Sequence, residues 1–142
     1  MNSETNKYMK LAIQQAQQSL REGNHGFGAV LVKENQILAR CHDTEETEQD
    51  PTSHAEINAI RAACKKIGKN LAGCILISTH EPCPMGSTAI VWSGIEHVIF
   101  GYSISDAIKE GRTRIDLGCE EIFSKAAASI TVEKGIMKQA CA

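Results

Sequence analysis

Apolar residues return every three to four positions near the start of the chain, at Met9, Ala12, Ile13, Ala16 and Leu20, the period of a helix that buries one face. Gly23 follows where such a helix stops. The period then shortens. Gly26 to Val32 and Gln36 to Cys41 are two β-rich runs separated by Lys33-Glu34-Asn35, and together they predict a hairpin. The polar stretch from Asp43 to Asp50 predicts an irregular connection, which passes through Pro51 into a helix over about Ser53 to Lys66, with Gly68 beyond its end. Cys74 to Ser78 is an apolar run of strand length. Pro82-Cys83-Pro84 opens a helix that reaches Trp92, because proline is tolerated in a first helical turn. Val98-Ile99-Phe100 predicts another buried strand, Ser105 to Glu110 and Glu120 to Ala128 predict helices, and Ile130-Thr131-Val132 predicts a last short strand. The order α-β-β-α-β-α-β-α-α-β supplies helices to both faces of a central sheet, an α/β fold.

Composition narrows the function classes. At 142 residues and 42% hydrophobic content, the chain is expected to form one domain over residues 1–142, large enough for a real core. A formal net charge of −2 argues against a phosphate-binding surface, so nucleic acid is a disfavoured partner. Met1 to Lys10 is polar and charged, and no apolar run approaches a signal core or a membrane span, which gives the expectation of a cytoplasmic protein without a membrane partner. Six cysteines in a chain of this size read as small buried hydrophobes outside the motif described next, rather than as a disulfide framework.

The chemistry lies where two predicted helices begin. His54 and Glu56 fall in the first turn of one, two positions apart and pointing in different directions, which suits one ligand and one base. Cys83 falls at the start of the other, where the positive end of the helix dipole favours the thiolate that metals bind. Each residue has a plainer reading. Ser53-x-x-Glu56 matches a capping box in which the glutamate satisfies a backbone N–H and Ser53 or Thr52 caps the helix. His54 alone reads as a surface or satisfied histidine, and Cys83 alone as a buried thiol. Asp50-Pro51-Thr52-Ser53-His54-Ala55-Glu56 together with Glu81-Pro82-Cys83-Pro84-Met85, each at a helix start, shifts the balance to a metal site.

Those two strings, with Gly26-Phe27-Gly28-Ala29-Val30-Leu31-Val32 and Ala89-Ile90-Val91-Trp92, make residues 23 to 100 resemble the cytidine and deoxycytidylate deaminase superfamily, in the branch of guanine deaminases and tRNA adenosine deaminases. The resemblance implies a three-layer α/β/α sandwich on a mixed five-stranded sheet, a bound zinc and a homodimer. It further implies that His54 and Cys83 are metal ligands and that Glu56 carries protons between water, ring nitrogen and leaving amine. Phe27 would pack on the substrate ring, the Ala55 backbone would contact the base, and the Glu81 carbonyl would face the departing ammonia. The reaction class is hydrolysis of an exocyclic C–N bond on a small amino-substituted nucleobase or related heterocycle. Zinc serves that chemistry by lowering the pKa of its water.

Two positions depart from the family pattern. Gly86 stands where a second cysteine supplies the third ligand, so the sequence predicts an impaired or altered zinc site whose remaining metal is a stronger Lewis acid. A water or a nearby side chain is the candidate to fill that place, with His80 and the five other cysteines as the side chains available. Asp43 stands where relatives carry asparagine; an ionised aspartate only accepts hydrogen bonds, which favours a guanine-like or diaminotriazine ring rich in N–H donors. The plainer reading of Asp43 is a solvated turn residue, and His42 reads as exposed. Trp92 resembles a residue near the base site, with core packing as the alternative. Asp106 and Asp116 follow the fourth strand, where relatives add an acid, and the stretch from Glu133 to Ala142 lacks the aromatic residue that closes some sites. Two other classes stay open: a deaminase fold without catalysis that binds nucleobases, and a tRNA adenosine deaminase.

Overall fold

The computed structural model describes residues 3–142. The elements in order are α1 (Ser3–Arg21), β1 (Gly28–Lys33), β2 (Gln36–His42), α2 (Glu45–Glu48), α3 (Ala55–Ile67), β3 (Cys74–His80), α4 (Pro84–Ser93), β4 (His97–Tyr102), α5 (Ile104–Lys109), α6 (Cys119–Phe123), β5 (Thr131–Glu133) and α7 (Lys138–Cys141). The strands form one sheet in the order β2-β1-β3-β4-β5. β1 runs antiparallel to both β2 and β3, whereas β3, β4 and β5 run parallel, so the sheet is mixed as expected. The hairpin turns on Glu34 and Asn35, both with positive φ, as a two-residue turn between twisted strands demands.

Alternation along the central strands divides the interior into two layers. Ala29, Leu31, Leu76, Val98 and Phe100 face one cluster with Ala55, Ala59, Ala63, Ile90, Cys119 and Phe123, which places α3, α4 and α6 on that side. Val30, Val32, Ile77, Ile99 and Tyr102 face the other with Tyr8, Met9, Ala12, Ala107 and Cys141, from α1, α5 and α7. A continuous apolar run such as Val98-Ile99-Phe100 is what burial on both faces requires. Gly28 sets how closely α1 approaches the sheet: a Cβ there would lie 1.9 Å from the Ala12 carbonyl oxygen.

Several predicted boundaries moved. The stretch from Asp43 to Asp50 contains the short helix α2, because side chains from elsewhere cap it: Asn24 Oδ1 accepts from the Glu46 and Thr47 N–H groups at 2.9 and 3.0 Å, and Asp43 Oδ1 from Glu45 N at 3.0 Å. The helix predicted to reach Ala128 ends at Phe123, where Ser124 Oγ bonds back to Glu121 O at 2.6 Å and competes with further turns. α7 carried no clear periodic signal. Leu20, read as part of the buried stripe, is exposed, and Ser19 takes the inward position, its hydroxyl donating to Asp43 O at 2.9 Å. His42 is half-buried and bonds Gln15 and Glu22, each at 2.9 Å. Cys74, Cys119 and Cys141 are buried, while Cys41 and Cys64 are only partly so, and all are free thiols.

The Glu81 carboxylate ties the chain after β3 to the next two helices, accepting from Ile104 N at 2.8 Å and from Cys119 N at 2.7 Å. Charge-assisted bonds to two N–H groups that have no intrahelical partner make it a structural brace. Glu81→Ala is expected to lower unfolding free energy by about 2–4 kcal/mol and Glu81→Gln by less. Urea denaturation of both variants checks this, and an unchanged midpoint for the alanine variant would refute it.

Candidate active site

Two helix starts meet at the carboxyl ends of their preceding strands. α3 begins with His54 as N-cap, in extended conformation and without a side-chain cap bond; α4 begins with Cys83 as N-cap and Pro84 in its first turn. The capping box does not form. Ser53 N donates to Asp50 O and His54 N to Thr52 O, so the nearby N–H groups are satisfied by carbonyls and the Glu56 side chain is free of that duty. It turns instead toward the metal-ligand candidates. His54 Nδ1 lies 3.5 Å from Cys83 Sγ and 3.6 Å from Glu56 Oε1. Its other nitrogen, Nε2, faces Glu45 Oε2 at 3.4 Å. A carboxylate on the far ring nitrogen fixes orientation and leaves Nδ1 as the ligating atom.

An imidazole nitrogen, a thiol sulfur and a carboxylate oxygen from His54, Cys83 and Glu56 lie within 4.8 Å of one another. That is a donor set zinc accepts. The bond to Cys83, and next to it that to Glu56, holds the His54 pKa up at about 11, so a metal entering here displaces a proton from the imidazole.

Gly86 is buried one turn into α4, with its N–H 3.5 Å from Cys83 Sγ. A Cβ at this position would come within 2.9 Å of Glu56 Cγ and 3.1 Å of Glu56 Oε1. Glu56 therefore leans into the space a side chain at position 86 would claim. The groups expected to compensate for Gly86 do not: His80 gives Nε2 to the Cys141 carbonyl at 2.9 Å, burial pushes its pKa down to about 4, and no other cysteine joins His54 and Cys83 among the described residues. Acidic side chains stand there instead, Glu56 on one ring nitrogen and Glu45 on the other.

Asp43 is fully buried, not a solvated turn residue. Its N–H donates to Phe27 O at 3.1 Å, and its carboxylate groups with Glu45 and His54. Oδ2 has no hydrogen-bond partner. Burial raises its pKa to about 6; the Glu45 N–H and His54 oppose the shift, and the Glu45 carboxylate adds to it. Phe27 is half-buried beside it and meets His80 edge-on at 4.7 Å between centroids. Ala55 is buried in the first turn of α3.

Three other positions are less closely tied to this cluster. Trp92 is 83% exposed, so it does not pack in the core. Asp106 is committed to an ion pair with Lys138 at 2.9 Å. Asp116 lines a cleft of about 320 Å³ with Glu81, Ser103 and Lys134, which contains none of His54, Glu56 and Cys83. Two residues went unseen. Glu45 sits in an acidic run that reads as a solvated loop, and Arg114 lies in a loop without periodicity, yet its guanidinium stands 5.4 Å from the Phe27 ring centroid.

Residues 2–102 match the cytidine and deoxycytidylate deaminase zinc-binding region. A tRNA-specific adenosine deaminase of Aquifex aeolicus is 44% identical over 66% of this chain, which spans 62% of that protein. A guanine deaminase of Bacillus subtilis is 42% identical over 78% of this chain and 71% of its own length. A solved structure from work on A-to-I editing by tRNA:A34 deaminases superposes with a TM-score of 0.82, covering 95% of this chain and 96% of the other at 28% identity.

Two outcomes follow from this geometry. The folded Asp43 pKa of about 6 exceeds the ordinary 3.8, so the folded chain holds that proton more tightly than the unfolded one and loses stability as pH rises between those values. Asp43→Asn should thus gain on the parent by on the order of 2–3 kcal/mol more at pH 8 than at pH 4. A gap in urea midpoints that stays constant with pH would contradict this. Gly86→Cys must push Glu56 aside, so without metal it should be about 1–3 kcal/mol less stable than the parent. In the presence of zinc it should hold the ion at least about tenfold more tightly. Metal titration against a chelator reads the difference, and equal zinc affinity would show that position 86 is not directed at the metal.

Proposed function

Because the chain belongs to the cytidine and deoxycytidylate deaminase family, we propose that it is a zinc-dependent hydrolytic deaminase of a small amino-substituted nucleobase or related heterocycle, with a guanine-like ring favoured. The observation that carries the substrate is Asp43: a fully buried carboxylate beside His54 with one oxygen unpartnered. Ionised above about pH 6, it is an acceptor only. A ring edge carrying N–H donors satisfies it; the six-membered ring of adenine offers none outside its amine.

His54 and Cys83 are the residues that would hold the metal, and the Glu56 carboxylate beside them is left to handle protons. Bound zinc makes removal of a proton from water feasible at neutral pH. Glu56 is placed to take that proton and pass it to the ring nitrogen beside the reacting carbon, then to take the remaining proton of the added oxygen and deliver it to the amine as the C–N bond breaks. Phe27 offers an aromatic edge to the ring, the Ala55 backbone contacts the base, and the Glu81 carbonyl receives the departing ammonia. Glu45 holds the His54 ring in place from its far side. Water is consumed and ammonia released.

The similarity to a tRNA-specific adenosine deaminase supports a second reading, adenosine deamination in RNA. The net charge of −2 favours the small molecule. Ammonia release from guanine, cytosine, diaminotriazines and an adenosine-bearing tRNA anticodon stem separates the two, since activity on the RNA alone would overturn the small-base reading. Glu56→Gln is expected to lower turnover of the active substrate by at least about 100-fold with an unchanged unfolding midpoint. Turnover persisting in that variant would remove Glu56 from the proton path.

A further inference from the structure

Arg114 has no acidic partner. Among the described residues its guanidinium forms no ion pair, and its recorded contacts are the Thr113 carbonyl at 2.8 Å and the face of Phe27 at 5.4 Å. Neighbouring Arg112, by contrast, is committed: it pairs with Glu110 at 3.3 Å, donates to Ala142 O at 3.3 Å and lies over Tyr102 at 5.3 Å. The loop that carries Arg114 is anchored on both sides, by Arg112 N on Ala107 O at 3.0 Å and by Cys119 N on the Glu81 carboxylate at 2.7 Å. Arg114 is half-buried. A positive group is therefore held by a braced loop over the Phe27 ring, with most of its donors unspent.

Resting on the deaminase reading above, we propose that Arg114 is a specificity-determining residue that donates to a ring carbonyl oxygen, restricting the substrate to amino-oxo heterocycles. Phe27 has two polar neighbours of opposite character. Asp43, whose N–H is bonded to the Phe27 carbonyl, offers a buried acceptor; Arg114, over the ring, offers donors. A ring that presents an N–H and a carbonyl on its edges complements both, as guanine, isocytosine and amino-oxo-triazines do. A ring with an amine and no oxygen leaves the guanidinium unanswered, and an unmet buried donor costs binding.

Guanine and 2-aminopurine share the exocyclic amine and differ by the ring carbonyl and the N–H beside it, so it is the effect of replacing Arg114 on each base that isolates the carbonyl contact. Zinc-loaded parent, Arg114→Ala and Arg114→Lys are compared on both bases, by ammonia release and by equilibrium binding, with 2-aminopurine followed by fluorescence. The parent should prefer guanine. Arg114→Ala should raise KM and Kd for guanine on the order of 10- to 100-fold, leave 2-aminopurine within about twofold, and Arg114→Lys should recover part of the loss. Equal losses on both bases would mean that Arg114 only supports the fold, and no loss on either would mean that it does not touch substrate; both overturn the inference while leaving the deaminase reading intact. Guanosine monophosphate bound more tightly than guanine, and only with Arg114 present, would reassign the residue to phosphate and likewise overturn it. A parent that neither turns over nor binds either purine defeats the small-base reading itself, and this inference with it.

Discussion

Two helices have to begin at the same point in space, and most of the architecture serves that requirement. α3 follows β2 and α4 follows β3, strands that run in the same direction with β1 between them. Each helix therefore starts beyond the carboxyl end of its strand, where open α/β sheets collect their ligands. N-cap positions are well suited to the purpose. The backbone there is extended, and the side chain projects past the first turn toward whatever lies in front of it. His54 and Cys83 both occupy such positions, which is how one short sheet edge brings an imidazole within 3.5 Å of a thiol. Asn58 secures the approach from the α3 side, its Nδ2 donating to His42 O and Thr44 Oγ1 at 2.9 Å each.

The positive ends of two helix dipoles favour negative charge at this point and oppose an imidazolium. The His54 pKa rises to about 11, because the bonds to Cys83 and Glu56 outweigh the burial that opposes its charge. Acidic side chains dominate the site: Asp43, Glu45 and Glu56 all approach the one histidine, with the Cys83 sulfur beside them. Such a cluster is stable only with compensating positive charge, which a proton on His54 supplies in part and a divalent cation supplies more fully. The glycine at position 86 fits this balance. A second thiolate would add charge to an already acidic cluster and would collide with the Glu56 side chain as it now lies.

How much of this was legible from the chain depended on whether the cause was local. Helix periodicity, strand alternation and the helix-start strings are short-range signals, and they located α1, α3, α4, the β1–β2 hairpin and the three residues that converge. The mixed five-stranded sheet followed from the family resemblance, whereas the order of its strands is visible only in the fold. α2 could not be read because its cap comes from Asn24, twenty-odd positions earlier, so the polar run around it carries no sign of a helix. Asp43 read equally well as a solvated acid or as a contact to the base, for the same reason. Phe27 and Ser19, its partners in hydrogen bonds, reach it only through the fold. Ser53-x-x-Glu56 shows the opposite failure: a local pattern matched a cap that nearby carbonyls had already made unnecessary. Trp92 was misjudged because α4 is apolar around much of its circumference, and its sequence does not say which side meets the core.

Asp43 and Arg114 are opposite charges that both neighbour Phe27, and they do not pair with each other. Asp43 is buried with an open oxygen, and its ionisation destabilises the folded chain above about pH 6. Arg114 gives up part of its hydration for one backbone carbonyl and one aromatic face. Left so, each costs free energy that a direct ion pair between them would reduce. Separation is favourable only if something polar joins the two, with hydrogen to give on one edge and oxygen to receive on another. A planar heterocycle with an N–H and a carbonyl meets that description, and the Phe27 ring under Arg114 suits its shape.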